Sequence, residues 1–196
     1  MYNIKMKKEK IFFILAGANG VGKTTLSKEI LQEYKYSKFL NADEIAKEIN
    51  PSDISAVKIS AGKKLFNNLN ELLLKKEKII LETTLAGRFL IDVIKRAKKS
   101  GYKIHIFYTF ADSPDICIER IKTRVKKGGH SVPDTDVRRR FYRSIKNFWS
   151  IYAKLADVWV LYYNMEQGVI VAKSAEDKTK ILIDEKYNQF LRMANA

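Results

Sequence analysis

Gly17-Ala18-Asn19-Gly20-Val21-Gly22-Lys23-Thr24-Thr25, "GANGVGKTT", decides how the rest of the chain is read. It satisfies G-x-x-x-x-G-K-[ST] in full, with Gly20 as a further glycine inside the loop. Glycines let the backbone turn with its N–H groups facing inward, making a concave nest for an anion. Lys23 has the type and spacing that reaches β- and γ-phosphates, and the Thr24 hydroxyl is placed to ligate Mg²⁺. Gly17 through Thr25 are therefore expected to hold a nucleoside triphosphate. A strongly apolar run, "IFFILA" (11–16), precedes the loop, and a helical pattern, "TTLSKEILQEY" (24–34), follows it. That helix would add its positive N-terminal end to the phosphate site. No N-K-x-D sequence for reading guanine occurs, which favours ATP.

Outward from the loop, apolar runs alternate with helical periodicity. "SKFLNAD" reads as a second strand ending at Asp43, and 44–76 as a helical region broken near "NPSD". "KIILETT" is a third strand, followed by a helix with Leu90, Val93, Ile94 and Ala97 on one face. "YKIHIFYTF" is a fourth strand, and "SPDICIERIKTRVKK" a helix opened by Ser113 and Pro114. A helix from about 135 to 154, late strands at "DVWVLYYN" and "GVIVAKS", and a C-terminal helix around "KYNQFLRMA" complete the order. Alternation of this kind predicts a single α/β domain over 1–196, with a mainly parallel sheet covered by helices. Ligands of such sheets bind beyond the carboxyl ends of the strands, where Gly17, Asp43, Glu82 and Asp112 all fall.

Two carboxylates in that row have the placement for chemistry. Asp43 faces the γ-phosphate position from the neighbouring strand, so it is a candidate base for an attacking hydroxyl. It is equally a candidate N-cap for "EIAKEI". Glu82, at the end of "IILETT" with Thr83 and Thr84, is a candidate for organising Mg²⁺ or gripping an acceptor's hydroxyls.

The helix "ICIERIKTRVKKGGH" carries Arg120, Arg124 and Lys127 on one face, and "DVRRRFYRSIKNFW" carries Arg139, Arg143 and Lys146 on another. Two basic helices around "GG" predict a lid over about 113–150 that closes on polyphosphate and excludes water. His130, just after the hinge glycines, is the histidine placed to meet a ligand, whereas His105 alternates within a strand. No His or Cys spacing for a metal exists.

Composition bounds the remaining possibilities. Cys117 is the single cysteine, which excludes an internal disulfide and fits a reducing cytoplasm. "IFFILA" is too short to span a membrane and leads into the glycine loop rather than a cleavage site. The net charge of +15 is large. Its lysines are spread over helices rather than gathered in an aromatic-interleaved stripe, so nucleic acid is the weaker reading.

These motifs resemble a known family. "GANGVGKTT", "NADEIAKEINP", "ETTLAGR", "RIKTRVKKGGHSVP" and "RRRFYRS", in this order, look like the small bacterial zeta-toxin-like kinases, and "ADVWVLYYN" fits their closing strand. The resemblance implies a P-loop NTPase fold of the nucleoside-kinase type, with a five-stranded type of sheet and a helical lid. It implies ATP and Mg²⁺ as cofactors and a small-molecule acceptor; better-known members phosphorylate UDP-N-acetylglucosamine. By motif, Asp43 would be the base, and Lys23 with a lid arginine would stabilise the transferring phosphate. Thr24 would ligate Mg²⁺, with Glu82 as a further metal candidate. Arg120 or Arg124 fits one lid position, and one of Arg138, Arg139 or Arg140 the second. Glu82, Thr83, Thr84, Arg88, His130 and Arg139 are the expected acceptor contacts, and a separate antitoxin chain is a candidate partner. A polynucleotide 5′-kinase and an ATP-gated binding module are the competing functions.

Overall fold

The computed structural model describes residues 10–23, 37–54, 56–165, 168–176 and 178–196. Thr24, Thr25 and the helix expected over 24–34 lie outside the described residues.

A mixed sheet organises the chain. Strands β1 (Lys10–Ala16), β2 (Lys38–Asn41), β3 (Ile79–Thr83), β4 (Tyr102–Phe110) and β5 (Val158–Tyr163) are all parallel. Two further strands, β6 (Val169–Ala175) and β7 (Lys178–Ile181), extend the sheet antiparallel beyond β5. The order is β2-β3-β1-β4-β5-β6-β7, so the five-stranded expectation describes the parallel part of a seven-stranded sheet. The chain moves outward from β1 to β2, returns through β3, then crosses β1 to β4, so β3 lies between β1 and β2, the strand before Asp43 that the sequence reading expects beside β1. That reversal gathers the carboxyl ends of three neighbouring strands where a ligand is expected.

Strand β1 reads as an unbroken apolar run because both of its faces are buried. Phe12, Ile14 and Ala16 join the main core, while Ile11, Phe13 and Leu15 form a second cluster with Ile80. His105 is buried beside Phe13, with ring centroids 5.4 Å apart, and so belongs to packing.

The helices are α1 (Ala42–Ile49), α2 (Lys58–Leu74), α3 (Leu90–Lys99), α4 (Pro114–Lys126), α5 (Asp134–Asn147) and α6 (Asp184–Asn195). In α2, Ala61, Leu65 and Leu69 are the buried stripe. Ser113 caps α4 with Pro114 in its first turn, as the sequence predicts. Beyond Asn147 the helix widens into a π turn, Phe148–Tyr152, in which the Ala153 N–H bonds the Phe148 carbonyl; a last turn, Ala153–Leu155, ends it. An aromatic group binds this segment to the sheet and to α6. Tyr108 stacks on Phe148 at 4.1 Å, and Phe190 meets both rings edge-on.

Candidate active site

The phosphate loop hangs between β1 and α4, and its shape depends on its glycines. Gly20 (φ 77°) packs so closely on α4 that a Cβ would collide with the Cys117 carbonyl. Gly22 (φ 97°) is pressed in the same way against the Asn164 side chain, at the end of β5. Neither conformation nor space admits another residue. Asn164 and Arg120 hold the loop from outside: Asn164 Nδ2 donates to the Val21 carbonyl (2.8 Å), as does Arg120 Nη1 (3.2 Å). Arg120 Nη2 donates to the Asn164 carbonyl (2.8 Å). Arg120 therefore braces the loop through backbone carbonyls.

Lys23 is buried, and its Nζ donates to the loop's own Gly17 and Ala18 carbonyls at 2.9 and 3.0 Å. Burial pushes its ammonium below the usual lysine range, and the neighbouring Glu82 and Asp43 charges work against that shift. Glu82 responds in the opposite sense. Burial raises its carboxyl, with the charge of Lys23 opposing. Its Oε2 is buried without a hydrogen-bond partner among the described residues.

Strand β2 ends at Asn41, not at Asp43 as the sequence reading has it, and the local geometry shows which residue is the cap. Asn41 Oδ1 accepts from the Asp43 N–H at 2.7 Å, so Asn41 caps α1. The Asp43 carboxylate is thereby released from capping. It lies in the first turn with its side chain 51 % exposed, and His130 Nε2 approaches its Oδ2 at 3.4 Å. That histidine contact holds the Asp43 carboxyl below the ordinary carboxylate range, against the effect of burial.

Two clefts meet on these groups. The first, about 740 Å³, runs along Gly20, Gly22, Arg120, Arg124 and His130. The second, about 690 Å³, opens between β3 and α2 and is walled by Ile59, Phe66, Phe89, Thr83 and Thr84, with Lys63 and Arg140. Asn19, Lys23, Asn41, Asp43 and Glu82 line both. One cleft thus presents the phosphate loop and the lid, the other an apolar wall with two cations.

The lid arginines separate by position. Arg124 Nη2 donates to the His130 carbonyl at 3.0 Å, and its Nε is buried with no partner among the described residues. Arg140 points into the second cleft, with Nη1 3.3 Å from Asn19 Oδ1 and Nη2 3.2 Å from Asp136. Arg139, one residue earlier, turns to the exposed side of α5 and pairs with Asp136 at 2.7 Å. Arg138 pairs with Asp115, also on the exposed side. Arg88 is exposed and, like Arg139, lines neither cleft.

Ile59, Lys63, Phe66 and Phe89 line the second cleft without being singled out by the sequence reading, and Arg140 is the member of the Arg138–Arg140 run that lines it. One signal was available for part of the wall: Ile59, Gly62 and Phe66 follow each other at i, i+3 and i+7, a second stripe beside the buried one. The loop behind the wall is held from α5. Ser144 Oγ donates to the Thr84 carbonyl, Asn147 Nδ2 to Leu85 O (3.0 Å), and the Tyr152 hydroxyl to Gly87 O (2.8 Å). Leu85 sits at φ 54°, which an ordinary side chain seldom adopts. The π turn adds a residue to the helical spacing and keeps Tyr152 on the face that looks at this loop.

Sheet order, phosphate loop and the basic helices beside it are those of the P-loop kinase fold. Residues 2–177 match the family model described as Zeta toxin, and the chain belongs to that family. A protein of Haemophilus influenzae described as "Uncharacterized protein" is 32 % identical over 136 residues, 69 % of this chain and 94 % of that one. Among solved structures, AvrRxo1-ORF1, crystallised with AvrRxo1-ORF2 and sulphate ions, superposes with a TM-score of 0.75 at 16 % identity over 94 % of this chain. The present chain spans 64 % of the length of that AvrRxo1-ORF1 chain. A structure from the PezAT toxin–antitoxin system of Streptococcus pneumoniae gives a TM-score of 0.69 at 15 % identity, covering 100 % of this chain and 88 % of that one. Among the described residues no group of His, Cys, Asp and Glu could hold a metal by itself, and no helix is long and apolar enough to cross a membrane.

Proposed function

We propose that this chain transfers the γ-phosphoryl group of ATP to a hydroxyl of an anionic small metabolite, with a nucleotide-sugar such as UDP-N-acetylglucosamine as the leading acceptor. The observation that carries this reading is the position of Asp43, half-exposed where the two clefts meet and beside Lys23 and Glu82. A carboxylate there stands between donor and acceptor and takes the hydroxyl proton as the oxygen attacks phosphorus.

The second cleft supports the acceptor class. Ile59, Phe66 and Phe89 offer an apolar wall to a ring, Lys63 and Arg140 offer charge to an anion, and Thr83, Thr84 and Asn67 offer partners to hydroxyls. On the donor side, Gly17 through Gly22 cradle the polyphosphate, and Lys23 and Arg124 neutralise the charge that builds up in transfer. Thr24 and Glu82 are the proposed residues on the Mg²⁺ side. The orphaned Glu82 Oε2 fits a water or hydroxyl of a hydrated cation, whose charge would assist the departure of ADP. The cytoplasm, which supplies ATP, is the compartment this reading implies. A small acidic antitoxin is the proposed protein partner of the basic chain, since AvrRxo1-ORF1 is crystallised with a second chain and the other neighbour comes from a toxin–antitoxin system.

Mass spectrometry of metabolites from cells expressing the protein tests the reading. A nucleotide-sugar should gain one phosphate in an ATP- and Mg²⁺-dependent reaction that the purified protein repeats. Label appearing on RNA or DNA 5′ ends, or on nothing, overturns it. With the acceptor in hand, Arg140→Ala should slow transfer by about 10–10³-fold. Arg139→Ala, on the exposed side of the same helix, should have an effect at least about tenfold smaller. Comparable losses from both, measured as initial rates, would remove Arg140 from the site.

A further inference from the structure

Asn41 caps α1, so the Asp43 carboxylate has no bond to its own helix end, and the side chain that approaches it is His130. A half-exposed aspartate turns readily about its last torsion, which is broad and two-fold. A base of that kind loses rate, because the reacting oxygen must already point at the acceptor. The partner comes from the lid. His130 lies in the glycine loop between α4 and α5, with its Nε2 3.4 Å from Asp43 Oδ2 and its side chain only 22 % exposed.

The histidine is itself held in place. Arg124 Nη2 bonds its carbonyl at 3.0 Å. Gly129, just before it, lies so close to the Arg124 side chain that a Cβ there would be 2.6 Å from Cγ. His130 lines the donor cleft and not the acceptor cleft, whereas Asp43 lines both. Charges of both signs share the cleft. Glu44 and Lys47 come from α1 and Asp53 from the segment before α2. Lys23 comes from the phosphate loop, Glu82 from β3, and Arg120 and Arg124 from α4.

We infer that His130 is a positioning residue for phosphoryl transfer: its Nε2–H holds Oδ2 of Asp43 and leaves Oδ1 to receive the acceptor's proton. This rests on the reading of Asp43 as the base. In the step it serves, the acceptor oxygen bonds the γ-phosphorus and the bridging P–O bond breaks, its electron pair leaving with ADP. The hydroxyl proton passes to Asp43 Oδ1. The 3.4 Å separation is longer than an ordinary hydrogen bond and is expected to shorten when lid and substrates close. The same contact holds the carboxyl below its ordinary range.

The test follows transfer from γ-labelled ATP into a deproteinised bacterial metabolite extract across pH, for wild type, His130→Ala and His130→Gln. At saturating ATP, His130→Ala should lower the rate about tenfold or more. It should leave the ATP concentration for half-maximal rate within about threefold, because the contact is to the base and not to ATP. Its acid limb should move to higher pH. His130→Gln, whose amide N–H reaches toward the same oxygen, should recover most of the neutral rate. Loss confined to the ATP requirement, or a glutamine no better than alanine, overturns the proposal. In parallel, carbon-13 NMR should show the Asp43 carboxyl titrating higher in His130→Ala than in wild type. An unchanged midpoint overturns the pairing. A shifted midpoint with no label in the extract means that the pairing stands and the kinase reading fails.

Discussion

Asp43→Asn is expected to slow phosphoryl transfer by about 10²–10⁴-fold, the usual contribution of a positioned general base. ATP should bind at least as tightly as in wild type. The two outcomes have one physical origin. The amide keeps the shape of the carboxylate but cannot take a proton, and its arrival removes a negative charge from beside the γ-phosphate position. Loss of fold does not account for such a result. Asn41, not Asp43, caps α1, and the half-exposed contact with His130 is of a kind that contributes no more than about 1 kcal/mol. Calorimetry or a fluorescent ATP analogue reads binding, and label transfer reads the rate. A variant that keeps more than about a tenth of the wild-type rate would take the base role away from Asp43. In wild type the carboxyl is held below its usual range, so it stays ionised as pH falls until that lowered value is reached. The acid limb of the rate should therefore lie lower than for an unassisted aspartate.

Phe148→Ala should have the largest effect on stability. The ring is fully buried, stacked on Tyr108 at 4.1 Å and edge-on to Trp159 and Phe190 at 6.2 and 6.0 Å. Removing such a ring leaves a cavity and typically costs about 3–5 kcal/mol. For a domain of this size that is a fall in melting temperature of about 6–20 °C. Thermal unfolding followed by near-UV circular dichroism measures the effect. A cost below about 1 kcal/mol would mean that neighbouring rings collapse into the space.

Much of the fold is written in local pattern. "IFFILA" followed by "GANGVGKTT" places β1 and the loop, because a strand buried on both faces must read as continuous apolar residues. Ser113-Pro114 marks the start of α4 for reasons of capping alone. β7, "KTKI", escapes such reading, since all of it is exposed and lysines take alternate positions. Within the site, "NAD" contains two capping residue types. Only the point at which β2 lets go of the chain decides that Asn41 caps and Asp43 is free. "RRR" presents the same difficulty. A single step along a helix turns the side chain by about 100°, and the docking of α5 selects Arg140 for the cleft over Arg139. The bonds from Ser144, Asn147 and Tyr152 to carbonyls of the 84–87 loop join distant parts of the chain through ordinary backbone groups, so no motif announces them.

Those three bonds make one helical segment, α5 with the π turn after it, a common support. One end sends Arg140 to Asn19 of the phosphate loop, and the other holds the 84–87 loop by three attachments. A substitution that loosens this segment is therefore expected to disturb both clefts at once.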